Sequence, residues 1–370
     1  MKRLLGLFLV IVLLLMFIGR VLASEQISWG VARIRANLVW NNNTGTGIKI
    51  AIIDTGVWYL HSDLQDRVIS GKSFIGGNWW DDGWNHGTMA AGIIAAIINN
   101  YGLIGVSPNV SLVVARAIPG TDDKIADALY WAADQGVQIV VMSFGASFPL
   151  PLVEQACEEL YHLNKILLIA AAGSDGVPIY YPAKYNRTVI AVGAVDENDN
   201  RWYKSNFGPE LELVAPGVNI NSTANPNAPP YQLYMADNGT SYAAPFVAGV
   251  AALIYNSKLD PEYDYNNNNI WDNNEVRQKL QDTALDLGAQ DRDDYYGYGL
   301  VNAWYANQRP PGDVNTDHHV NYLDAIIVGA AFGSEPGDPN WDPRADITIN
   351  NIVNYLDSII VGDHFGETDP

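Results

Sequence analysis

Cysteine is nearly absent from this 370-residue chain, Cys157 being the single example. One thiol cannot close an intramolecular disulfide, which excludes the disulfide-stapled secreted scaffolds. Cys157 lies in a helical pattern from Leu152 to Leu163 and reads as a small buried apolar side chain. Basic residues are also scarce, with 21 Lys and Arg against 41 Asp and Glu, a formal net charge of -20 and a pI near 4.4. That balance argues against a nucleic-acid partner, because neutralising phosphates takes basic patches. It is compatible with extracellular solubility and with cation binding. Histidine occurs only six times, so few positions are available for a general base near neutral pH.

Apolar residues make up 48% of the chain, an ordinary share for a globular protein. The length allows roughly two or three domains. Residues 1–23 read as an export signal. Lys2 and Arg3 precede an apolar run from Leu4 to Ile18, and Val21-Leu22-Ala23 resembles a small-residue cleavage site. The run is short for a transmembrane helix. The expected product is secreted or attached to the cell surface, touching a membrane only if the signal is retained.

From Ile48 onward apolar runs alternate with helical patterns. Strands are expected at Ile48–Ile53, Ser111–Ala117, Gln138–Ser143, Ile166–Ala172 and Thr188–Val195. Helices are expected at His86–Asn99, Ile125–Gln135, Leu152–Leu163 and Ala243–Tyr255. Uniformly apolar strands between helices predict an α/β fold with a mostly parallel sheet. A large domain over 24–308 would end at a linker, 309–312, containing Pro310-Pro311-Gly312. A small all-α module over 313–368 would follow. Its signature is a repeat: Val320-Asn321-Tyr322-Leu323-Asp324 recurs 33 residues later as Val353-Asn354-Tyr355-Leu356-Asp357, and each copy runs on to Phe-Gly.

In an open parallel sheet, ligands gather outside the carboxyl ends of the strands. Asp54 ends the first apolar strand, in Ile53-Asp54-Thr55-Gly56-Val57. His86 opens a helix, in Asn85-His86-Gly87-Thr88. Ser241 sits where the turn at Gly239 becomes an apolar helix. Taken alone, Ser241 reads as an ordinary N-cap; beside a base and an acid it reads as a nucleophile.

Here the chain strongly resembles the subtilisin-like serine proteases. The resemblance runs from about Glu25 to about Asn307 and is carried by IAIIDTGV, NHGTMAAGIIAA, VVMSFG, AVGAV, APGV and NGTSYAAPFVAGVAALI. It implies a three-layer subtilisin-like fold and hydrolysis of polypeptide substrates through an acyl-enzyme. In the Asp, His, Ser order known from subtilisin itself, Ser241 would be nucleophile, His86 base and then acid, and Asp54 the group that orients the imidazole. His61 and His162 lack the small-residue motif that follows His86. The resemblance also implies one substrate wall at Ser143-Phe144-Gly145, with the peptide adding as a strand, and another at Ala171-Ala172-Gly173. Apolar walls suit a large apolar side chain. Where the family usually has Met after the nucleophile, this chain has Tyr242, which removes an oxidisable sulfur.

Two departures stand out. The family's oxyanion-hole asparagine follows Ala-Ala-Gly, and here Ser174 occupies that place. Losing such a donor costs roughly 10²–10³ in turnover, a figure measured in a subtilisin. A weak or inactive homologue that binds peptides or serves as a structural subunit is therefore the alternative reading. Second, Ser28-Trp29-Gly30-Val31 looks like the start of a mature protease, yet it follows the signal almost directly. Without an intervening prodomain, folding is expected to proceed unaided, with a helper in trans, or on bound calcium.

Calcium is the expected ion. Asp313, Asn315, Asp317, Asn321 and Asp324 occupy positions 1, 3, 5, 9 and 12 of a calcium loop followed by a helix. The second copy offers Asp346, Thr348, Asn350, Asn354 and Asp357. This duplicated variant, with Asp at position 12 and no glycine at position 6, looks like a type I dockerin, which implies a cohesin domain as partner. The repeated Tyr322, Leu323, Ile326, Ile327 and Tyr355, Leu356, Ile359, Ile360 need a core or a partner to cover them. A third loop presents Asp264, Asn266, Asn268, Asp272 and Glu275, with Ile270 supplying a carbonyl. Asp272 and Glu275 read equally as a capping box for a helix over Glu275–Leu280. Family resemblance adds Asp63 and Asn100 as calcium ligands fastening the N-terminal segment. Sequons at Asn42, Asn109, Asn186, Asn221 and Asn238 could carry glycans.

Overall fold

The structure, a computed structural model, describes residues 25–307 continuously and then 314, 320, 322–336, 338–340, 342, 345, 347, 352–363 and 365. The expected signal, residues 1–23, lies outside the described residues. In chain order the elements are β1 (Gln26–Ile27), α1 (Trp29–Arg33), β2 (Lys49–Asp54), β3 (Val68–Ser73), α2 (His86–Ala95), β4 (Leu103–Ile104), β5 (Ser111–Arg116), α3 (Asp122–Asp134) and β6 (Ile139–Met142). There follow α4 (Pro151–His162), β7 (Leu167–Ala171), β8 (Val189–Val195), β9 (Leu211–Pro216), β10 (Ile220–Thr223), β11 (Tyr234–Asp237), α5 (Thr240–Tyr255), α6 (Asn273–Asp282) and α7 (Ala303–Asn307). Two further helices, α8 (Tyr322–Ala331) and α9 (Tyr355–Asp363), belong to the repeat.

Seven parallel strands form one sheet in the order β3-β5-β2-β6-β7-β8-β9. The chain leaves β2 toward β3 and β5 on one side and resumes at β6 on the other, so the order reverses at β2. Every residue of β6, β7, β8 and β9 is buried, as expected of strands covered on both faces. α2 packs on α5, while α3 packs on α4. Asp122 ties the latter pair together, its carboxylate accepting the N–H groups of Leu152 and Val153 at 3.0 Å each. α5 is buried almost all round and crosses β6, β7, β8 and β9, the position of a central helix.

The expected strands are all present within a residue or so of their ends. The helix expected over His86–Asn99 stops at Ala95, because Ala96 turns extended and Ile97 N–H goes to Asp63 O at 2.8 Å. α5 begins three residues earlier than expected, at Thr240, and α6 spans Asn273–Asp282 rather than Glu275–Leu280. In the repeat, Val314, Val320, Val328, Ala331, Ala345, Val353 and Val361 make a separate small core, with Ile327 packed against it. Tyr322, Leu323, Ile326, Tyr355, Leu356 and Ile359 remain exposed. The small core is built from valines and alanines instead, and it leaves these repeated apolar residues uncovered.

Candidate active site

Asp54 is the last residue of β2, at the carboxyl end of the sheet where the strand order reverses. Its Oδ1 accepts Thr55 N–H at 2.6 Å and lies 2.8 Å from His86 Nδ1. Oδ2 is buried and has no hydrogen-bond partner. His86 is the first residue of α2, and Gly87 lets the helix come this close: a Cβ there would lie 2.1 Å from Gly56 O and 3.1 Å from Asp54 Cβ.

The first turn of α2 is capped from elsewhere. Asn85 holds a left-handed φ of 64° and caps nothing; its carboxamide binds Asn225 N–H and Pro229 O. Asp82 takes over, with Oδ2 accepting Thr88 N–H at 2.8 Å and Thr88 Oγ1 at 2.6 Å. Thr55 Oγ1 accepts Gly87 N–H at 3.2 Å and sits 3.1 Å from Asp54 Oδ1 and 2.8 Å from Asp82 Oδ1. One hydroxyl thus spans two buried carboxylates. Burial raises the Asp82 pKa and Asp54 adds to the rise, while the hydrogen bonds from Thr88 and Thr55 offset part of it. For His86, burial alone would lower the pKa; the Asp54 carboxylate, helped by Asp82 and Asp237, outweighs it and leaves the imidazole raised. The sequence gives no local sign of Asp82 or Thr55 in this role.

The other two histidines of the larger domain are engaged elsewhere. His61 is buried, with Nδ1 accepting Asp63 N–H and Nε2 bonded to Leu233 O. His162 is a surface partner of Glu158. Cys157 is buried and its thiol pKa is pushed up by burial, in keeping with an inert packing role.

Ser241 lies in the first turn of α5, half-buried. The N-cap is Gly239 and no side chain caps the helix, so the N-cap reading of Ser241 does not hold. First-turn N–H groups lack intrahelical acceptors and favour negative charge. Pro245 has no N–H to offer Ser241 O, the residue four places back. Tyr242 is buried, donates to Asp237 Oδ2 at 2.8 Å, and places its ring centroid 5.6 Å from that of His86.

Ser174 stands beside this turn. Its Oγ accepts Thr240 N–H at 3.2 Å and lies 3.2 Å from Thr240 Oγ1, which accepts Gly173 N–H at 3.1 Å. If Thr240 Oγ1 donates to Ser174, the Ser174 proton is left for another acceptor. Asn206 braces the loop that follows: its Oδ1 accepts Asp175 and Val177 N–H, and its Nδ2 donates to Pro178 O. That amide fills the space above Gly173, where a Cβ would meet it at 2.2 Å. Across the loop, Ala146 and Tyr181 exchange backbone hydrogen bonds, bringing Ser143-Phe144-Gly145 and Ala172-Gly173 together around Tyr180. Ser143 is buried with its hydroxyl unpartnered. A solvent-open hollow of about 410 Å³ adjoins Thr55, lined also by Asp81, Gly83, Trp84, Arg116, Ile118 and Pro119.

Among the described residues, no three His, Cys, Asp or Glu side chains converge on a metal-binding point. Asp63 is fully buried. Its Oδ1 accepts Asn99 Nδ2, and its Oδ2 accepts Leu103 N–H and Tyr234 Oη. The carboxamide that reaches Asp63 is therefore Asn99's; Asn100 is exposed and gives its N–H to Glu25 Oε1. Of the repeat's expected ligands, Asp313, Asn315, Asp317, Asn321, Asp346, Thr348 and Asn350 lie outside the described residues. Asp324 and Asp357 are both fully buried. They accept Val314 N–H and Asn354 N–H, respectively.

Comparison with known proteins shows what the chain as a whole is similar to. A family model described as the subtilase family matches residues 45–299. Subtilisin Savinase of Lederbergia lenta is 38% identical over 76% of this chain and 98% of its own length. Subtilisin DY of Bacillus licheniformis is 39% identical over 77% of this chain and all of its own length. An alkaline protease of Alkalihalobacillus alcalophilus is 38% identical over 76% of this chain and 70% of its own length.

Proposed function

The chain belongs to the subtilase family of serine endopeptidases, and from that premise we propose that Asp54, His86 and Ser241 form its catalytic triad. The observation that carries this reading is the 2.8 Å contact between His86 Nδ1 and a buried Asp54 carboxylate. With Nδ1–H held by Asp54, Nε2 is the basic nitrogen. It takes the Ser241 proton as Oγ attacks the scissile carbonyl, and Asp54 stabilises the imidazolium. The oxyanion forms beside the first turn of α5, where the Ser241 N–H and the helix dipole favour it. Ser174 supplies the second donor, with Thr240 Oγ1 feeding the hydrogen bond that frees the Ser174 proton. Collapse of the intermediate returns the proton from His86 to the leaving amine; water then repeats the cycle on the acyl-enzyme. Ser143-Phe144-Gly145 and Ala172-Gly173 bind the substrate chain on either side.

The proposal extends to the rest of the molecule. Residues 1–23 direct export, 24–308 form the peptidase, 309–312 the linker, and 313–368 a calcium-loaded dockerin that docks on a cohesin-bearing scaffold. Supporting it are the 33-residue repeat, the burial of Asp324 and Asp357 at equivalent twelfth positions, and the exposed apolar residues on α8 and α9. When bound, calcium supplies charge neutralisation that holds loops in place. Asp63, with Glu25 and Asn99 beside it, would serve the N-terminal segment.

A fluorophosphonate probe tests the triad, with labelling expected on Ser241 and lost in Ser241→Ala. An unlabelled, folded chain would instead fit a peptide-binding homologue. Docking is tested by capture of the full chain on an immobilised cohesin with calcium and with EDTA; equal capture in both would overturn the calcium-dependent part.

A further inference from the structure

The polar side chains of the 264–275 loop serve the loop itself. Asp272 and Glu275 form the capping box of α6, and Asp264, Asn266 and Asn268 accept N–H groups of their own turn. Asp237 is placed differently. It ends β11, shortly before Ser241, and is exposed. Its backbone is fixed on both sides, by pairing with Ile220 of β10 and by Asn219 N–H, which Asn238 Oδ1 accepts at 2.6 Å. Its side chain is fixed as well. Oδ1 accepts Asn238 N–H at 2.8 Å, and Oδ2 accepts the Tyr242 hydroxyl at 2.8 Å. Among the described residues no Lys or Arg forms an ion pair with it.

Tyr242 connects this carboxylate to the proposed base. Its ring is buried, lies 5.6 Å from the His86 ring between centroids and is tilted 48° to it. Methionine, the residue usual at this place in the family, has no proton to give Asp237. Burial raises the Tyr242 pKa and Asp237 raises it further, so the hydroxyl stays a donor through the neutral range. The first turn of α5 has two sides. Thr240 meets Gly173 and Ser174, on the wall assigned to the acyl half of the substrate. Tyr242 meets His86, the group that hands a proton to the leaving amine. The leaving half therefore passes on the Tyr242 side, where the Asp237 carboxylate forms the rim.

We propose that Asp237 is a specificity-determining carboxylate that selects a basic side chain, Arg or Lys, within the first two residues of the leaving fragment. This rests on the reading of Asp54, His86 and Ser241 as the triad and adds what the leaving side recognises. Tyr242 acts as a positioning residue, touching Asp237 rather than substrate. Each Asp237 oxygen gives one lone pair to a fixed donor and keeps another for a cation. A guanidinium or ammonium on the exposed rim gains up to about fivefold, the upper range for an exposed pair, and a substrate Glu loses a similar factor. Anchoring the carboxylate beforehand removes part of the ordering cost that often cancels such pairs. The excess of acidic residues, 41 against 21 basic, works in the same direction by drawing cationic polypeptides toward the protein.

The test uses the full chain and quenched fluorescent peptides built on one sequence it cleaves in a denatured protein. The peptides differ only in carrying Arg, Gln or Glu at the first or second position after the scissile bond. kcat/KM is read at alkaline pH, where the imidazole is neutral, and compared as a ratio within each variant. The parent should prefer Arg over Glu by about tenfold at 0.1 M salt. At 1 M salt the ratio should shrink toward one, because the Debye length falls from about 10 Å to about 3 Å. Asp237→Asn, which still accepts the Tyr242 hydroxyl, should bring the ratio near one, and Asp237→Lys should invert it. Tyr242→Phe should reduce the ratio without abolishing it. Should Asp237→Lys not fold, Asp237→Asn with the salt series decides. A parent ratio near one, or a ratio that persists in Asp237→Asn, overturns the assignment. So does an equal fall for all peptides in Asp237→Asn, which would leave the pair as a support for His86 alone. A folded parent that cleaves nothing fails the triad reading as well, whereas cleavage without charge preference fails this inference alone.

Discussion

Ser241, His86 and Asp54 do different things because their surroundings differ. The raised pKa of His86 has a sign that can be checked. General-base catalysis needs the neutral imidazole, so activity should be lost as pH falls through a value above the ordinary 6.5. Stability runs the other way: the Asp54–His86 pair contributes fully below the unfolded imidazole pKa and less as pH rises through the folded one. A kcat/KM profile and a Tm profile over the same pH range measure both. Ser174→Ala should lower kcat by about 10- to 100-fold, the worth of one hydrogen bond to a charged group, and Ser174→Asn should raise kcat with little change in KM. The three proposed triad residues stood out in the sequence because each sits in a motif of small neighbours. Asp82 and Thr55 did not, since their roles arise only when the end of β2 meets the start of α2. Asn99 was misread as Asn100 because one residue in a tight turn decides which carboxamide points inward.

Strands and helices carry these residues to their places. The apolar runs of β2, β5, β6, β7 and β8 announced themselves as buried strands. β3 did not, because Val68–Ser73 is a partly exposed edge, and the β10–β11 hairpin is short. The contact between α2 and β2 depends on Gly87. Its replacement by Ala would force a Cβ to within 2.1 Å of Gly56 O, a backbone atom that cannot yield without moving Asp54. Gly87→Ala should therefore destabilise by roughly 1–3 kcal/mol, as overpacking does, and depress kcat more than KM. Denaturant unfolding and steady-state kinetics test the two parts. Ser241 moved from cap to first turn because Gly239, not a side chain, starts α5.

At the scale of the molecule, two apolar cores follow one another along the chain, a large one around the parallel sheet and a small one of valines in the repeat. The sequence proposes a boundary at Pro310-Pro311-Gly312, which lies outside the described residues. The makeup of the small core was not visible in the sequence, since Tyr, Leu, Ile and Val in the repeat are all bulky and the pattern alone does not say which of them turn inward. Within the large domain, Arg277 and Glu212 form a largely buried ion pair joining α6 to the sheet. Arg277→Ala should cost about 3–5 kcal/mol, because the Glu212 charge would be left uncompensated, and urea unfolding will read it. Among the described residues no helix is long and apolar enough to cross a membrane.

The most direct test of the account is mass spectrometry of the intact chain after reaction with a fluorophosphonate. The account predicts a single adduct on Ser241, formed faster at alkaline than at acidic pH. Ser241→Ala should abolish it, and His86→Ala should slow it by orders of magnitude. No adduct on a folded chain, or an adduct on a different serine, would contradict it.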